Sequence, residues 1–376
     1  MRYSCGVENL QRAERILKGG RIGLITNPSG LDSDFVSTVD IMKERTNLVR
    51  LYAPEHGVRG DIQAGEEVSS YIDLKTGLEV VSLFDKKSFE GDYLNGIDCV
   101  VYDIQDVGQR HFSYLYIMAR VMKDCAEKKI AFLVLDRYNP MGLKKVSGNI
   151  FDDAYSCDVG GFSLATGYAM TIGETARYIK GEYYRDCELY VVPCTGLDRE
   201  ADYRTLKLPW ILPSPNLPTF ESAAVYEGTV LFEGTNVSEG RGTAKPFEFI
   251  GAPWMDNEAV VGLMRAENLS GVKFRTVYFR PSFSKYRGEL CRGLQLHITD
   301  FESFDAYRTA LVLLNIIRKL HTEFEFVKTN EGQYFIDMLS GTDALRKDFF
   351  DPNAYIKEQR EPLERFKDVC GKYYMY

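Results

Sequence analysis

The 376-residue sequence contains no C-x-x-C pair, no H-E-x-x-H and only four histidines. Its eight cysteines, Cys5, Cys99, Cys125, Cys157, Cys187, Cys194, Cys291 and Cys370, are scattered. Neither a zinc site nor a disulfide framework fits that spacing, so reduced and mostly buried thiols are expected. No stretch approaches the ~20 apolar residues that cross a bilayer, and no membrane partner is predicted. The opening MRYSCGVENLQRAER reaches charge at once and builds no secretory apolar core, which predicts a cytoplasmic protein unless a leader has been removed. The Asn236-Val-Ser match to a glycosylation acceptor is discounted on the same ground. Basic residues are outnumbered 46 to 54 by acidic ones, for a net charge of −8, which argues against a general nucleic-acid binder.

Signatures of cofactor chemistry are missing as well. Gly19, Gly20 and Gly23 do not form a G-x-G-x-x-G after a strand, and they read as the end of a first helix. There is no phosphate-binding G-x-x-x-x-G-K-[ST] and no G-x-S-x-G elbow. His111, His297 and His321 stand alone and read as structural residues. No cofactor and no metal is therefore expected. No internal repeat or low-complexity tract is present, which excludes a solenoid.

What is present is an α/β alternation. With 45% apolar and 27% charged residues the chain is of ordinary globular composition, and its length suggests two domains. Short β-branched runs at 21–26, 48–53, 78–84, 99–104 and 131–136 are separated by helical patterns at 7–18, 36–45, 88–95 and 112–128. That order predicts a parallel sheet over residues 1–150. From about 151 the pattern changes: a helix at 172–184, a strand ELYVVP, a proline-dense ordered loop at 208–222, a strand pair, an amphipathic helix at 303–321 and a helical, aromatic end. Residues 151–376 are expected to form a smaller α/β domain.

Each strand of the first domain ends in polar groups. Asn27 follows the first strand, Glu55, His56 and Arg59 the second, DIQDVGQR the fourth and DRYNP the fifth. Ligands of open α/β sheets bind outside the carboxyl ends of the strands, so these groups are expected to line one crevice. Glu55 and His56 would point to opposite sides of an extended chain and make poor joint metal ligands. Glu55 reads as a single carboxyl that partial burial could prepare for proton donation, although a loop carboxylate paired with Arg59 fits the residue types equally well. Asp103 is a candidate second carboxylate or hydroxyl ligand, Asp106 a helix cap, and Arg110 and Tyr114 lie one helical turn apart. The glycine-rich EGTNVSEGRGTAKP gathers Glu233, Asn236, Glu239, Arg241 and Lys245, of which Arg241 and Lys245 suit a carboxylate or phosphate.

Taken together, GLITNPSG (23–30), APEHGVRGD (53–61), AGEEVSSYID (64–73), YDIQDVGQR (102–110), LDRYNP (135–140), MTIGE (170–174), LPSPNLPT (212–219), EGTNVSEGRGTAKPFE (233–248) and FSKYRGELCRG (283–293) resemble the NamZ-type exo-β-N-acetylmuramidases of peptidoglycan recycling. The resemblance runs over nearly the whole chain. It departs from the family at Tyr168-Ala169, where a His-Gly is frequent, and at His111-Phe112, where an aromatic pair is usual. It implies a Rossmann-like domain joined to a smaller α/β domain with the site between them. It also implies hydrolysis of the bond between a terminal N-acetylmuramic acid and N-acetylglucosamine, with Glu55 as catalytic residue.

On this basis Glu55 is expected to be the general acid and Asp103 its partner, with Asp106 or Glu239 behind it. Arg241 and Lys245 are expected to hold the lactyl carboxylate of the substrate. Asn27, His56, Gln105, Arg110, Asn139 and Asn216 are expected to meet hydroxyl or acetamido groups, with Arg59 and Asn236 beside them. The rival readings are a nucleotide- or NAD-dependent enzyme on the same sheet and a non-catalytic binder of cell-wall sugars.

Overall fold

A computed structural model describes residues 2–55, 57–60, 70–83, 92–157 and 159–376. The first half is built on β1 (Ile22–Thr26), β2 (Leu48–Ala53), β3 (Tyr71–Ile72), β4 (Glu79–Ser82), β5 (Cys99–Asp103) and β6 (Ala131–Leu135), followed by a short pair, β7 (Ser147–Ile150) and β8 (Ala165–Gly167), and by β9 (Leu189–Val192). Among the described residues the main sheet has the order β3-β4-β2-β1-β5-β6-β9. All its pairings are parallel except β3 with β4.

Every residue of β1 and β5 is buried, as apolar runs sandwiched between helical layers must be. Alternation along the strands feeds two cores. Leu24, Leu51, Val101 and Leu133 pack with Val7, Leu10 and Met42 on one face. Ile25, Tyr52, Val100 and Phe132 pack with Leu115, Met118 and Ile179 on the other. The helices Tyr114–Lys128 and Ile172–Glu182 cover that second face. Thr171 and Glu174 form a reciprocal capping box, which gives the MTIGE stretch a structural meaning. The sheet grows from β1 toward β4 and then restarts at β5 on the other side of β1. The carboxyl ends of β1 and β5 thus open a crevice.

The expected helix at 7–18 is a 3-10 stretch, Gly6–Ala13, followed by one turn of α-helix, Glu14–Leu17. The break falls at Asn9, whose Nδ2 donates to Ser4 Oγ and to the carbonyls of Cys5 and Pro193 and so draws the backbone off the helical path. Of the expected helix at 88–95, residues 92–95 belong to a turn segment and the rest lie outside the described residues. The first sheet also extends past residue 150, because Phe132 to Leu135 pair in parallel with Leu189 to Val192 of β9.

The smaller sheet is antiparallel, β10 (Phe249–Ala252), β12 (Cys291–Ile298) and β11 (Val272–Phe279) in that order, with the helices Asn257–Ala266 and Ala306–Leu320 packed behind it. No helix among the described residues is long and apolar enough to cross a membrane. The chain then returns to the first sheet. Met375 N donates to Glu174 Oε1 at 2.7 Å, and Tyr376 Oη donates to Asp136 Oδ2 at 2.6 Å while accepting from Cys194 N at 2.8 Å.

Asp136 lies at the end of β6 with no exposure, and burial pushes its pKa up to about 7 against the hydrogen bonds from Tyr376, Gly173 and Thr171. The folded protein thus holds this proton more tightly than the unfolded chain does. The stability it contributes is present in acid and is lost as pH rises toward the folded value. Between about pH 4.5 and about pH 8 the wild type should therefore lose more of its urea midpoint than Asp136→Asn, which cannot titrate. Parallel losses in the two proteins would show that Asp136 titrates as an ordinary carboxyl.

Candidate active site

After β2 ends, Pro54 and Gly57 close a turn through a 3.0 Å bond from Gly57 N to the Pro54 carbonyl, with half-buried Glu55 between them. Gly60 completes the loop at φ +76°; a Cβ there would lie 2.4 Å from Pro28 Cγ, so no larger residue fits. Tyr114, the first residue of its helix, donates through Oη to the Glu55 carbonyl at 3.1 Å. The turn after β2 is thereby tied to the loop after β5.

Glu55 lines a cavity of about 210 Å³ whose wall also includes Tyr114, His111, Asn216, Tyr226, Glu233 and Arg241. Tyr226 comes from the helix Phe220–Thr229, and Glu233 from the 3-10 turn Val230–Gly234 that continues it. Arg241 stands between two glycines of positive φ, Gly240 and Gly242; a Cβ at Gly242 would lie 2.6 Å from the Phe283 carbonyl oxygen. Its Nη2 donates to Glu233 Oε1 at 2.7 Å, and its Nε lies 3.5 Å from Glu239 Oε1. Glu239 is completed by Lys285 at 3.0 Å, and Lys285 also donates to the carbonyls of Phe232 and Val237. Among the described residues the cavity thus has one carboxyl without an ion pair, Glu55, and one carboxylate paired with a guanidinium, Glu233.

His111 is buried, and burial, helped by the neighbouring Arg110, lowers its pKa to about 3. The ring is neutral at any ordinary pH. Its Nε2 faces the Leu339 carbonyl at 2.9 Å; a carbonyl only accepts, so the proton sits on Nε2 and Nδ1 is an acceptor. Nδ1 of His111 and Nδ2 of Asn216 are buried and without a hydrogen-bond partner among the described residues.

The structure brings together Glu55, Asn216 and Arg241 of the residues expected in the site, with Glu239 behind Arg241. Asn27 is adjacent: its Nδ2 donates to the Pro213 carbonyl at 3.3 Å and so holds the proline-dense loop over the edge of the sheet. The others serve elsewhere. Asp103 has no exposed surface, and its oxygens are taken by Arg137 Nε at 2.5 Å, Arg137 Nη2 at 2.8 Å and Thr38 Oγ1. It is the buried half of an ion pair and does not line the Glu55 cavity. Arg59 grips Asp73 through two 3.0 Å bonds and holds its carboxyl down at about 2, so it is not the partner of Glu55. Gln105 lines a separate cavity and donates to the carbonyls of Asp106 and Tyr138. Asp106 is not a helix cap, a place held by Ser113; it accepts from Gly108 N and Tyr168 Oη, and burial pushes it up to about 6.

Arg110 is wholly buried and donates through Nη1 and Nη2 to the carbonyls of Asn149, Leu164, Leu339 and Ser340 and to Asn149 Oδ1. Asn139 is bonded to Met170 and Met141, and Asn236 to Glu323 and Glu325. Lys245 pairs with Glu248 at 3.1 Å in a different cavity and takes no part in the Glu55 site. His56 lies outside the described residues. Sequence reasoning missed Tyr226 and passed over His111 as isolated; Glu233 stood inside a motif already singled out, but nothing in its spacing ranked it above Glu239.

The fold defines a two-domain α/β protein built on a largely parallel sheet, with a small carboxyl-lined cavity where the carboxyl ends of its strands meet the second half of the chain. Comparison with known proteins is more specific. The amino-terminal domain of the exo-β-N-acetylmuramidase NamZ matches residues 22–221, and its carboxy-terminal domain matches residues 224–376. The peptidoglycan β-N-acetylmuramidase NamZ of Bacillus subtilis (strain 168) is 43% identical over 367 residues, 96% of this chain and 88% of that protein. Crystal structures of two DUF1343 family proteins from Bacteroides fragilis NCTC 9343 superpose with TM-scores of 0.88 and 0.78 at 34% and 30% identity, each over 100% of this chain and 99% of its own. The chain belongs to the NamZ exo-β-N-acetylmuramidase family.

Asp103→Asn separates a structural from a catalytic role. Leaving Arg137 buried without its carboxylate should cost about 3–5 kcal/mol in chemical unfolding, while turnover per folded molecule stays at the wild-type value. A stable variant with turnover reduced a hundredfold or more, about 2.7 kcal/mol or more in barrier, would return Asp103 to the chemistry.

Proposed function

We propose that the chain is an exo-β-1,4-N-acetylmuramidase that releases N-acetylmuramic acid from the non-reducing end of peptidoglycan fragments, with Glu55 as general acid. The observation that carries this reading is the meeting of a half-buried carboxyl, Glu55, and a guanidinium, Arg241, in one cavity built from both halves of the chain. The match of both halves to NamZ domains and the activity named for the Bacillus subtilis relative support it.

In this mechanism Glu55 gives its proton to the glycosidic oxygen as the C1–O bond breaks and the electron pair leaves with that oxygen. The sugar ring gains oxocarbenium character, and Glu233 faces the developing positive charge. Water then adds to C1 and its proton returns the site to its starting state. Arg241 uses Nη2 and Nε on Glu233 and Glu239, which leaves its Nη1 donors for the lactyl carboxylate that distinguishes muramic acid from glucosamine. The substrate is a soluble glycan fragment, and no nucleic acid takes part. We place the reaction in the cytoplasm, where eight free cysteines, seven of them buried, remain reduced.

Glu55→Gln should lower kcat by roughly 10²- to 10⁴-fold on a muramide whose leaving group needs protonation, with unfolding unchanged. Full activity on that substrate would remove Glu55 from the acid role. Arg241→Gln should erase the preference for aryl β-N-acetylmuramides over the corresponding glucosaminides; a variant as selective as the wild type would show that the carboxylate is read elsewhere.

A further inference from the structure

The stretch FSKYRGELCRG has no part in the Glu55 cavity, yet its Lys285 is bound to the groups that hold Arg241 there. The Lys285 ammonium donates to the carbonyls of Phe232 at 2.8 Å, Glu233 at 3.3 Å and Val237 at 3.1 Å, and to Glu239 Oε2 at 3.0 Å. Its N–H donors are thus all spent on the segment that carries Glu233 and Glu239.

The backbone is bent to bring the ammonium there. Ser284 and Tyr286, one on each side of Lys285, have φ of +67° and +56°. That left-handed conformation is rare for residues with a side chain and persists only where the surroundings impose it. Ser282 donates through N and Oγ to the Gly242 carbonyl at 2.8 and 2.9 Å. Tyr286 Oη donates to the Asn236 carbonyl at 2.7 Å while accepting from Trp254 Nε1 at 3.1 Å. The turn is therefore fastened at both ends to the loop that carries Glu239 and Arg241, with Lys285 between the fastenings.

We infer that Lys285 is a specificity-determining residue that acts through Glu239 and Arg241: it balances the charge around the guanidinium so that Arg241 can take a carboxylate of the ligand. Glu233 and Glu239 bring two negative charges, and Arg241 and Lys285 bring two positive ones. With Lys285 in place the cluster is neutral before a ligand enters. Without it Arg241 is the one cation paired with two carboxylates among the described residues, and the net negative charge that remains repels a third. Glu239 is only 2% exposed, so solvent screens this charge weakly. A neutral ligand of the same shape does not feel the imbalance, so the effect is one of selectivity.

The inference rests on the proposed role of Arg241, and its test separates the two. Wild type, Arg241→Gln, Lys285→Met and the double variant Lys285→Met/Glu239→Gln are compared on an aryl β-N-acetylmuramide and on the same glycoside with its lactyl carboxylate converted to the carboxamide. Protein lost to misfolding lowers both activities together and leaves the ratio of kcat/KM for acid over amide unchanged. Lys285→Met should lower that ratio by about 5- to 30-fold. The double variant removes one charge of each sign and should return the ratio to within about threefold of the wild type. A loosened turn would not be repaired by the second substitution, so recovery assigns the effect to charge. The same ratio read as affinities, by calorimetry with N-acetylmuramic acid and its carboxamide, tests the cluster apart from turnover. A wild-type ratio in Lys285→Met, or a double variant no better than the single one, would overturn the inference while a loss in Arg241→Gln keeps the Arg241 reading. A wild type without preference for the acid, or an Arg241→Gln variant that retains it, would remove the carboxylate role of Arg241 and this inference with it.

Discussion

The Arg110 guanidinium is the interaction on which the rest of the site depends. A wholly buried cation is tolerable only where carbonyl oxygens surround it, and those oxygens come from Asn149, Leu164, Leu339 and Ser340, far along the chain from the β5 loop that carries Arg110. Leu339 serves twice, because its carbonyl also receives the proton of His111. One buried charge therefore locks the loop after β5 against the last part of the chain and sets the orientation of the residue beside it. The cavity is a by-product of that lock: its walls come from the β2 turn, the β5 loop, the proline-dense loop and the turn after the helix Phe220–Thr229.

Charge around the cavity follows the same economy. Glu233, Arg241, Glu239 and Lys285 alternate in sign, and the innermost carboxylate, Glu239, is compensated from two sides. Arg241 is held by its neighbours without being exhausted by them, which is what a residue that must also greet a ligand needs. Arg59 and Lys245 carry the same charge and stand within quoted motifs, but each is paired with an acidic neighbour outside the cavity, Asp73 and Glu248. Residue type alone does not tell a free cation from an occupied one.

Much of the scaffold was legible because strand signals are local. The runs that became β1, β2, β5 and β6 are apolar on both faces, and such runs between helices specify a buried parallel sheet within a residue or two of the observed bounds. Glu55 was legible for the same reason, since a carboxyl just past a strand end falls at the crevice whatever the partners. Asp103 has the same local signature and a different fate. What decides it is Arg137, 34 residues further on and on the neighbouring strand's loop, which reaches back to occupy both its oxygens. The break at Asn9 was hidden likewise, because it depends on a carbonyl at Pro193.

The sequence by itself determined the α/β architecture, the chemical kind of the catalytic candidate and, through motifs running along nearly the whole chain, the family. These are properties of periodicity and of short ordered strings, which need no knowledge of the third dimension. Only the tertiary structure decided which charged groups gather at the cavity: Glu55, Glu233 and Arg241 line it, while Asp103 and Arg110 are buried in holding the fold and Lys245 pairs with Glu248 elsewhere. The reason is physical. Whether a charge or an amide is available depends on hydrogen bonds to residues tens or hundreds of positions away, and those distances exist only once the chain is packed.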